Sequence, residues 1–543
     1  MRLSTLHRIA VSLCTVASLQ TAVLSQDATP ADEATATQTE LARGFVFDDK
    51  NGNGKRDGDE PGIQGIRVSN GTSIVKTDED GRYVLPIDND TIIFVIKPRD
   101  WATPLNRNHL PQFYYIHKPN GSPQNFRFAG VAPTGPLPQS IDFPLLRRVE
   151  PDKFKAIMFG DPQPKNVAEV EYMSHDIIEQ IISEQAHGAA FGVTLGDIVF
   201  DDLSVMEPHN QSVALIGIPW YNVIGNHDLN LEAQTDDQSD ETFERIYGPS
   251  YYSFDYGPTH FMVLDDVQWH GPEGEKKGGY HGGFSTEQMT FIRNDLALIP
   301  KDQLVVLMMH IPLDGVRDRE QLYRLIEQRP ATVSLSAHTH YMEHRFLGAE
   351  NGWKGPKKHH HIVNVTVCGS WWRGREDERG IPHATMSDGG PNGYSIMEFD
   401  GQNYKLEMRG ANRAASYQMN VYAPESVTQQ ELAKTDVIAN VFNGSEKSKV
   451  SFRIGNQEGK FGQWHPMKRS RMADPAFVAE KKREEDVPNR PWTSLPGAHS
   501  TPHIWVSKLP VNLQLGTQVI EVRATNVIGK EVSGRRVIQV KAE

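Results

Sequence analysis

Between residues 152 and 410, short apolar runs alternate with helix-like stretches, and five of the runs stop on a residue able to hold a metal ion. IMFG is followed by Asp161-Pro162-Gln163, VTLG by Asp197, NVIG by Asn226-His227-Asp228, VLMM by His310 and SLSA by His338-Thr339-His340. Apolar runs of this length read as buried strands, and their alternation with helices reads as an α/β sandwich. In open α/β sheets ligands sit beyond the carboxyl ends of strands, so five such ends can bring these side chains to one rim. Each residue taken alone has an ordinary explanation: Asp197 as a helix cap, Asn226 in a turn, His310 as a satisfied core histidine. Those explanations do not place all of them at strand ends, and together they point to a dinuclear metal site.

Composition narrows the chemistry. The 543 residues include 21 His and 2 Cys, so a transition-metal site here is built from imidazoles and carboxylates. A formal charge of −13 repels polyanions, so no nucleic-acid polymer is expected as a partner, and an anionic substrate requires local positive charge such as metal ions. With 38% apolar and 23% charged residues the chain reads as a soluble globular protein, and its length implies three or four domains.

Residues 1–25 read as a secretory signal: Arg2 and Arg8 give the positive start, Ile9 to Leu24 the apolar core, and Val23 and Ser25 a cleavage site; the alternative is a buried N-terminal helix. Residues 26–40, rich in Ala, Thr, Asp and Glu without an aromatic residue, read as a disordered tether. Loss of the signal removes Cys14 and leaves Cys368 alone, which excludes an intramolecular disulfide. The expected location is secreted, periplasmic or cell-surface, with no transmembrane span in the mature chain.

Residues 41–148 show alternating strands separated by DG and DND punctuation, as in a small β-sandwich. In the middle region, Met173, Ile177, Ile178, Ile181 and Ile182 predict the apolar face of a helix, and Ser285 with Gln288 has capping-box spacing. Asp400-Gly401 predicts a hairpin turn. Residues 411–543 return to strand-like runs interrupted by the helix-compatible DPAFVAEKKREED, which predicts a second β-sandwich.

The motifs DPQ, GDIVFDD, GNHD, a single His and AHTH, in this order, resemble the calcineurin-like metallophosphoesterase family over about residues 152–410. The resemblance implies a four-layer α/β/β/α sandwich, here flanked by the two β-sandwiches. It makes Asp197 a carboxylate bridging two divalent metals, with Asp161, Gln163 and His340 on one and Asn226, His310 and His338 on the other. A bridging carboxylate offsets the repulsion of two cations about 3.5 to 4 Å apart, and their shared water, deprotonated to hydroxide, is the implied nucleophile. The resemblance assigns His227 to the transition state, as acid or charge stabiliser. Relatives carry a carboxylate three residues after the bridging Asp to orient this histidine; Phe200 stands there, and Asp201 beside it takes the role. Gln163 replaces the usual His and Ala337 the usual Gly; the neutral carbonyl of Gln163 makes the first site oxygen-rich, favouring Mn, Fe or Ca²⁺ relative to Zn.

Beyond the last metal-bearing strand, Trp371, Trp372, Arg373 and Arg375 offer aromatic and guanidinium contacts for a substrate's organic part and a second anionic group, or pack their loop against the third domain. Trp269, His270 and Tyr280 are comparable candidates, whereas HKPN (117–120) and KKHHH (357–361) read as solvated surface. In residues 49–60, Asp49, Asn51, Asn53, Lys55, Asp57 and Glu60 occupy positions 1, 3, 5, 7, 9 and 12 of a calcium loop, with Gly54 at the turn. Strand-like flanks give this module a resemblance to calcium-binding B-type repeats of bacterial surface adhesins; an ordinary Asn/Gly/Asp turn is the alternative. The reading is an exported hydrolase of a phosphomonoester or phosphodiester, on a phosphorylated small molecule or a cell-surface phosphoester. Nucleotide pyrophosphate hydrolysis is a variant of it, and a catalytically silent surface adhesion or binding protein is the rival.

Overall fold

The computed structural model describes residues 40–274, 276–525 and 529–542. The signal and residues 26–39 of the tether lie outside them; Glu40, expected to end the tether, opens a strand because it pairs with Ile87.

Two sheets face each other in the middle of the chain. One has the order Trp220–Val223, Phe191–Leu195, Lys153–Phe159, Gly393–Asp400, Asn403–Gly410, with its first three strands parallel. The other runs Tyr252–Tyr256, Thr259–Val263, Leu304–Met308, Thr332–Ser336, His359–Val363, Glu343–Leu347, parallel across its central four. The two-residue side-chain period sorts each strand. Ala156 and Met158 face inward and pack with Phe261, Val306 and Met308, whereas Ile157 and Phe159 face outward with Met173, Ile177 and Ile181. Helices Thr286–Leu298 and Arg319–Ile326 cover the second sheet through Phe291, Ile292, Leu322 and Tyr323. This is the expected helix–sheet–sheet–helix order.

Local signals hold with two amendments. Ser285 caps its helix by accepting from the Gln288 backbone N–H, but the Gln288 side chain bonds the Asp265 backbone instead of closing the box. The first helix contains a π-turn, Ser174–Ile178, and one added residue rotates the next turn by roughly 100°. Ile182, expected on the apolar face, is therefore 44% exposed.

The N-terminal module packs the sheet Arg82–Ile87, Glu40–Asp48, Phe143–Arg147, Trp101–Ala102 with the sheet Ile74–Lys76, Arg67–Ser69, Thr91–Val95, Tyr114–His117. Its core is continuous with that of the middle region: Phe94 lies edge-on to Phe291 at 5.6 Å and Phe113 meets Tyr252 at 4.9 Å. The C-terminal module pairs a four-stranded sheet with a five-stranded one around its own cluster of Val437, Phe452, Trp505, Ile520 and Ile538, with the expected helix at Pro475–Glu485. The described residues form one compact unit. No helix of the described residues is long and apolar enough to cross a membrane.

The basic clusters expected at the surface are partly interior. His117 and Lys118 are buried, Lys118 because its ammonium neutralises Glu241 at 2.6 Å and Asp90 at 2.9 Å. Lys357 and Lys358 are exposed, but His359 and His361 lie inside a strand, where Ser334 bonds both rings and Ser336 bonds His361.

Candidate metal centre and active site

Parallel strands end on the same side, and here two sheets end together. At that rim the sheets are joined by a bridge between Gly160 and Thr366, and Cys368 N–H donates to the Asp161 carbonyl at 3.1 Å. The turns are tight enough that half of the described non-glycine residues with positive φ sit here: Asp161, Gln163, Asp197, Asp201, His338, His340, Trp371 and Trp372. Such backbone is costly and is retained where surrounding structure fixes it, commonly at functional sites. Gly196, at φ +84°, is required: a Cβ there would stand 2.5 Å from the His310 ring.

Asp161, Gln163, Asp197, Asn226, His310, His338 and His340 are brought together. Ligand atoms of Asp197, His310 and His338 lie within 4.8 Å of one another. His310 Nε2 is 3.3 Å from Asp197 Oδ1, 3.1 Å from Asn226 Oδ1 and 3.1 Å from His338 Nδ1. Its Nδ1 bonds the Leu195 carbonyl at 2.9 Å, which directs Nε2 into the cluster. His340 is set the same way, Nδ1 on the Gly369 carbonyl at 2.7 Å and Nε2 3.7 Å from Asp161. Gln163 places its amide nitrogen 2.5 Å from Asp197 and its carbonyl toward Cys368 Sγ; a half-turn of the amide exchanges them.

The electrostatics favour a cation. Asp161 and Asp197 are fully buried near one another, and burial with the Asp197 charge raises the Asp161 carboxyl well above its usual range. Burial keeps His338 and His340 neutral, lowered to about 3 and about 4, as ligation requires. Burial would also lower His310, but Asp197 outweighs it and raises that imidazole to about 10, so a metal ion competes with a proton there. The donors present fit two divalent cations.

His227 stands beside the donors. Its N–H donates to Asp197 Oδ1 at 2.9 Å, its Nδ1 lies 2.6 Å from Asp201 Oδ1, and Phe200 stacks on its ring at 4.2 Å. Burial opposes the charged imidazole, but Asp197 and the Asp201 hydrogen bond together hold it above its ordinary value. Two supporting acids escaped sequence reasoning as separate functional residues. Buried Asp228 accepts from the backbone N–H groups of Ile198, Val199 and Gly225, and buried Asp266 accepts from those of His310 and Ile311. Burial raises both to about 7. The signal for each was present: Asp228 ends GNHD and Asp266 ends the run HFMVLDD.

The proposed substrate residues separate. Trp371 stacks on His340 at 4.2 Å with the Arg373 guanidinium 5.2 Å from its ring centre. Trp372 is corrected to a structural post: it is buried, and its indole N–H donates to the Pro162 carbonyl at 3.0 Å. Arg375 is turned toward Trp492 of the C-terminal module, 5.9 Å away. Tyr280 lies 6.1 Å from His338; Trp269 is buried, and His270 pairs with His281 at 2.6 Å. In the N-terminal loop, Asp49 and Glu60 are buried and accept backbone N–H bonds, and Asp57 receives the side-chain amides of Asn51 at 2.7 Å and Asn53 at 2.9 Å. The Asn53 side-chain oxygen accepts from Lys55 N–H at 2.7 Å.

Three family models match, in chain order: "N terminal of Calcineurin-like phosphoesterase" over residues 50–132, "Calcineurin-like phosphoesterase" over 155–342 and "C terminal of Calcineurin-like phosphoesterase" over 347–531. The chain carries all three modules of a calcineurin-like phosphoesterase. It is accordingly a metal-dependent phosphoesterase, and the match over residues 50–132 groups the N-terminal module with that family. No curated protein matches by sequence. Similar solved structures include a dimetal phosphatase from Danio rerio (13% identity, 47% of this chain and 96% of that one, TM-score 0.32). A purple acid phosphatase from yellow lupin is another (14% identity, 64% of this chain and 66% of that one, TM-score 0.36).

Proposed function

We propose that this calcineurin-like phosphoesterase hydrolyses a phosphomonoester or phosphodiester, on a small molecule or a cell-surface group, with two divalent cations at the rim. One observation carries the reading: the donors of Asp197, Asn226, His310 and His338 converge beside a histidine, His227, that is itself anchored to Asp197 and Asp201. Asp161, Gln163 and His340 would hold one cation and Asn226, His310 and His338 the other, with Asp197 shared. When bound, such cations polarise phosphoryl oxygens and lower the pKa of a coordinated water.

The chain's own groups do the rest. Asp201 takes the Nδ1 hydrogen of His227 and fixes the ring, so Nε2 is the nitrogen that holds a proton for the departing oxygen or donates to a phosphoryl oxygen. Phe200 limits the ring's rotation from one face. Trp371 and Arg373 offer a face and a charge to the organic part of the ester and to a second anionic group. The oxygen-rich set with Gln163 favours Mn or Fe over Zn.

Elemental analysis of the purified protein, followed by turnover of nitrophenyl mono- and diesters with Mn²⁺, Fe²⁺, Zn²⁺ or Ca²⁺ restored, tests this. His227→Ala should keep its metals and lose turnover by roughly 10²-fold or more. Metal-loaded protein inert toward both esters and a pyrophosphate would overturn the reading in favour of a silent binding protein. Export through residues 1–25 belongs to the proposal and is checked by the N-terminal mass of the secreted chain. So does structural calcium in residues 49–60, supported by the inward-drawn Asp49 and Glu60. Calcium should raise the melting temperature of the parent and not of Asp49→Asn.

A further inference from the structure

We infer that His383, Glu480 and Glu484 form a separate metal site, taking one divalent cation of the zinc, manganese or iron class, that clasps the Trp371 loop to the C-terminal module. Glu480 and Glu484 are four residues apart on the helix Pro475–Glu485, so they share one face, and His383 comes from the returning leg of the loop. Ligand atoms of the three lie within 4.8 Å of one another. One imidazole and two carboxylates suit a borderline divalent cation.

Four further observations support a cation. His383 Nε2 is buried with no hydrogen-bond partner and stands 3.6 Å from Glu484 Oε1. Its other nitrogen, Nδ1, accepts from the Thr385 backbone N–H at 3.2 Å, with the Thr385 hydroxyl 2.8 Å away. Glu484 is fully buried and no Lys or Arg ion-pairs with it among the described residues; it accepts one backbone N–H on each oxygen, from Arg375 and Leu495, both at 3.0 Å. A carboxylate has about four acceptor positions, so ligation capacity remains, and a buried carboxylate without a cation is unfavourable. Gly374, at φ +101°, keeps the space beside the imidazole open, since a Cβ there would lie 2.6 Å from His383 Nε2. A groove of about 410 Å³, lined by His383, Glu480, Arg379 and Arg413 among others, gives an ion a route from solvent.

The clasp reaches the active site through the loop's own ladder. His383 N–H donates to the Arg375 carbonyl, Ala384 N–H to that of Arg373, and Ser370 N–H to that of Ala384, each at 3.0 Å. Trp371 lies between those legs and stacks on His340.

The test uses the full chain with the rim disabled by Asp197→Asn and His338→Ala, so that failure here is distinct from failure of the phosphoesterase reading. After chelation, Zn²⁺ is titrated back, with bound metal counted by elemental analysis and melting temperature recorded. The expected result is one equivalent of zinc and a rise in melting temperature, both lost with Glu480→Gln or His383→Gln as affinity falls by roughly 10²-fold or more. Equal zinc content in the disabled chain and in both added variants overturns the site. Glu480 is half-buried and its amide isostere leaves no buried group unpaired, so that variant decides the matter even where His383→Gln does not fold.

Discussion

The N-terminal module shares an apolar core with the catalytic sandwich, whereas the C-terminal module has a core of its own, lends Phe442 to that of the sandwich, and otherwise meets it through buried polar groups. At the first seam Phe94 and Phe113 reach Phe291 and Tyr252, and Arg67 is held by Asp255 at 2.6 Å and Asp295 at 2.7 Å. At the second, Asn440 donates to the Asp388 carbonyl, His503 bonds Asp388, and His344 bonds Asn443. Apolar contact is non-directional and cumulative, while a polar seam depends on every partner being in place. The first module therefore belongs to the folding core, and the second touches the loop at the mouth of the site through Glu484 and Thr493.

The largest effect is expected at the first seam. Asp295→Ala leaves Arg67 and His260 partly unpaired in a buried place and should cost about 3–5 kcal/mol in urea unfolding, without changing metal content. Replacing Arg67 as well, as Arg67→Met with Asp295→Leu, should restore much of it; no recovery would mean the seam rests on something other than that network. Asn440→Ala strips Asp474 and His503 of a partner and should cost less, about 1–3 kcal/mol.

Acid should separate the seams. Burial would lower His260, but Asp295 and Asp255 outweigh it and raise it, so its contribution is full below about pH 6.5 and lost as pH rises through the folded value. Burial would raise Asp295, but His260 and Arg67 hold it at about 2, so its contribution is present above about pH 4 and lost only toward 2. His344 is lowered by burial to about 4; its contribution is full above about pH 6.5 and lost as pH falls toward 4. Between pH 6.5 and 4, hydrogen exchange should therefore rise around Asn443 before it rises around Phe94; the reverse order would refute the contrast. The smallest effect is Arg471→Ala, under about 1 kcal/mol by thermal unfolding, because Arg471 is mostly exposed and Glu343 keeps Arg345.

What could be read without coordinates was whatever the chain encodes over a few residues. Strand ends, the Ser285 cap, the Asp400-Gly401 turn and the run-end ligands are local, because strand period, turn chemistry and carboxyl-end placement depend on neighbouring residues. The role of Trp372 stayed open between substrate contact and packing, and that of His361 was misjudged, for the opposite reason: a tryptophan in a loop or a histidine in a basic string has the same local text whether it is solvated or buried. Their fates were set by Pro162 and Ser334, which lie 210 and 27 residues away.

The sequence by itself determined the strands, their alternation with helices and the residues at their carboxyl ends, since apolar periodicity and turn residues act locally; the two facing sheets followed only from the family resemblance. Tertiary structure alone decided that Trp372 is held under Pro162, that the N-terminal module merges its core with the catalytic sandwich, and that His383 faces Glu484. Each of those contacts joins segments whose approach depends on how whole sheets and modules pack, and no short stretch of chain carries that information.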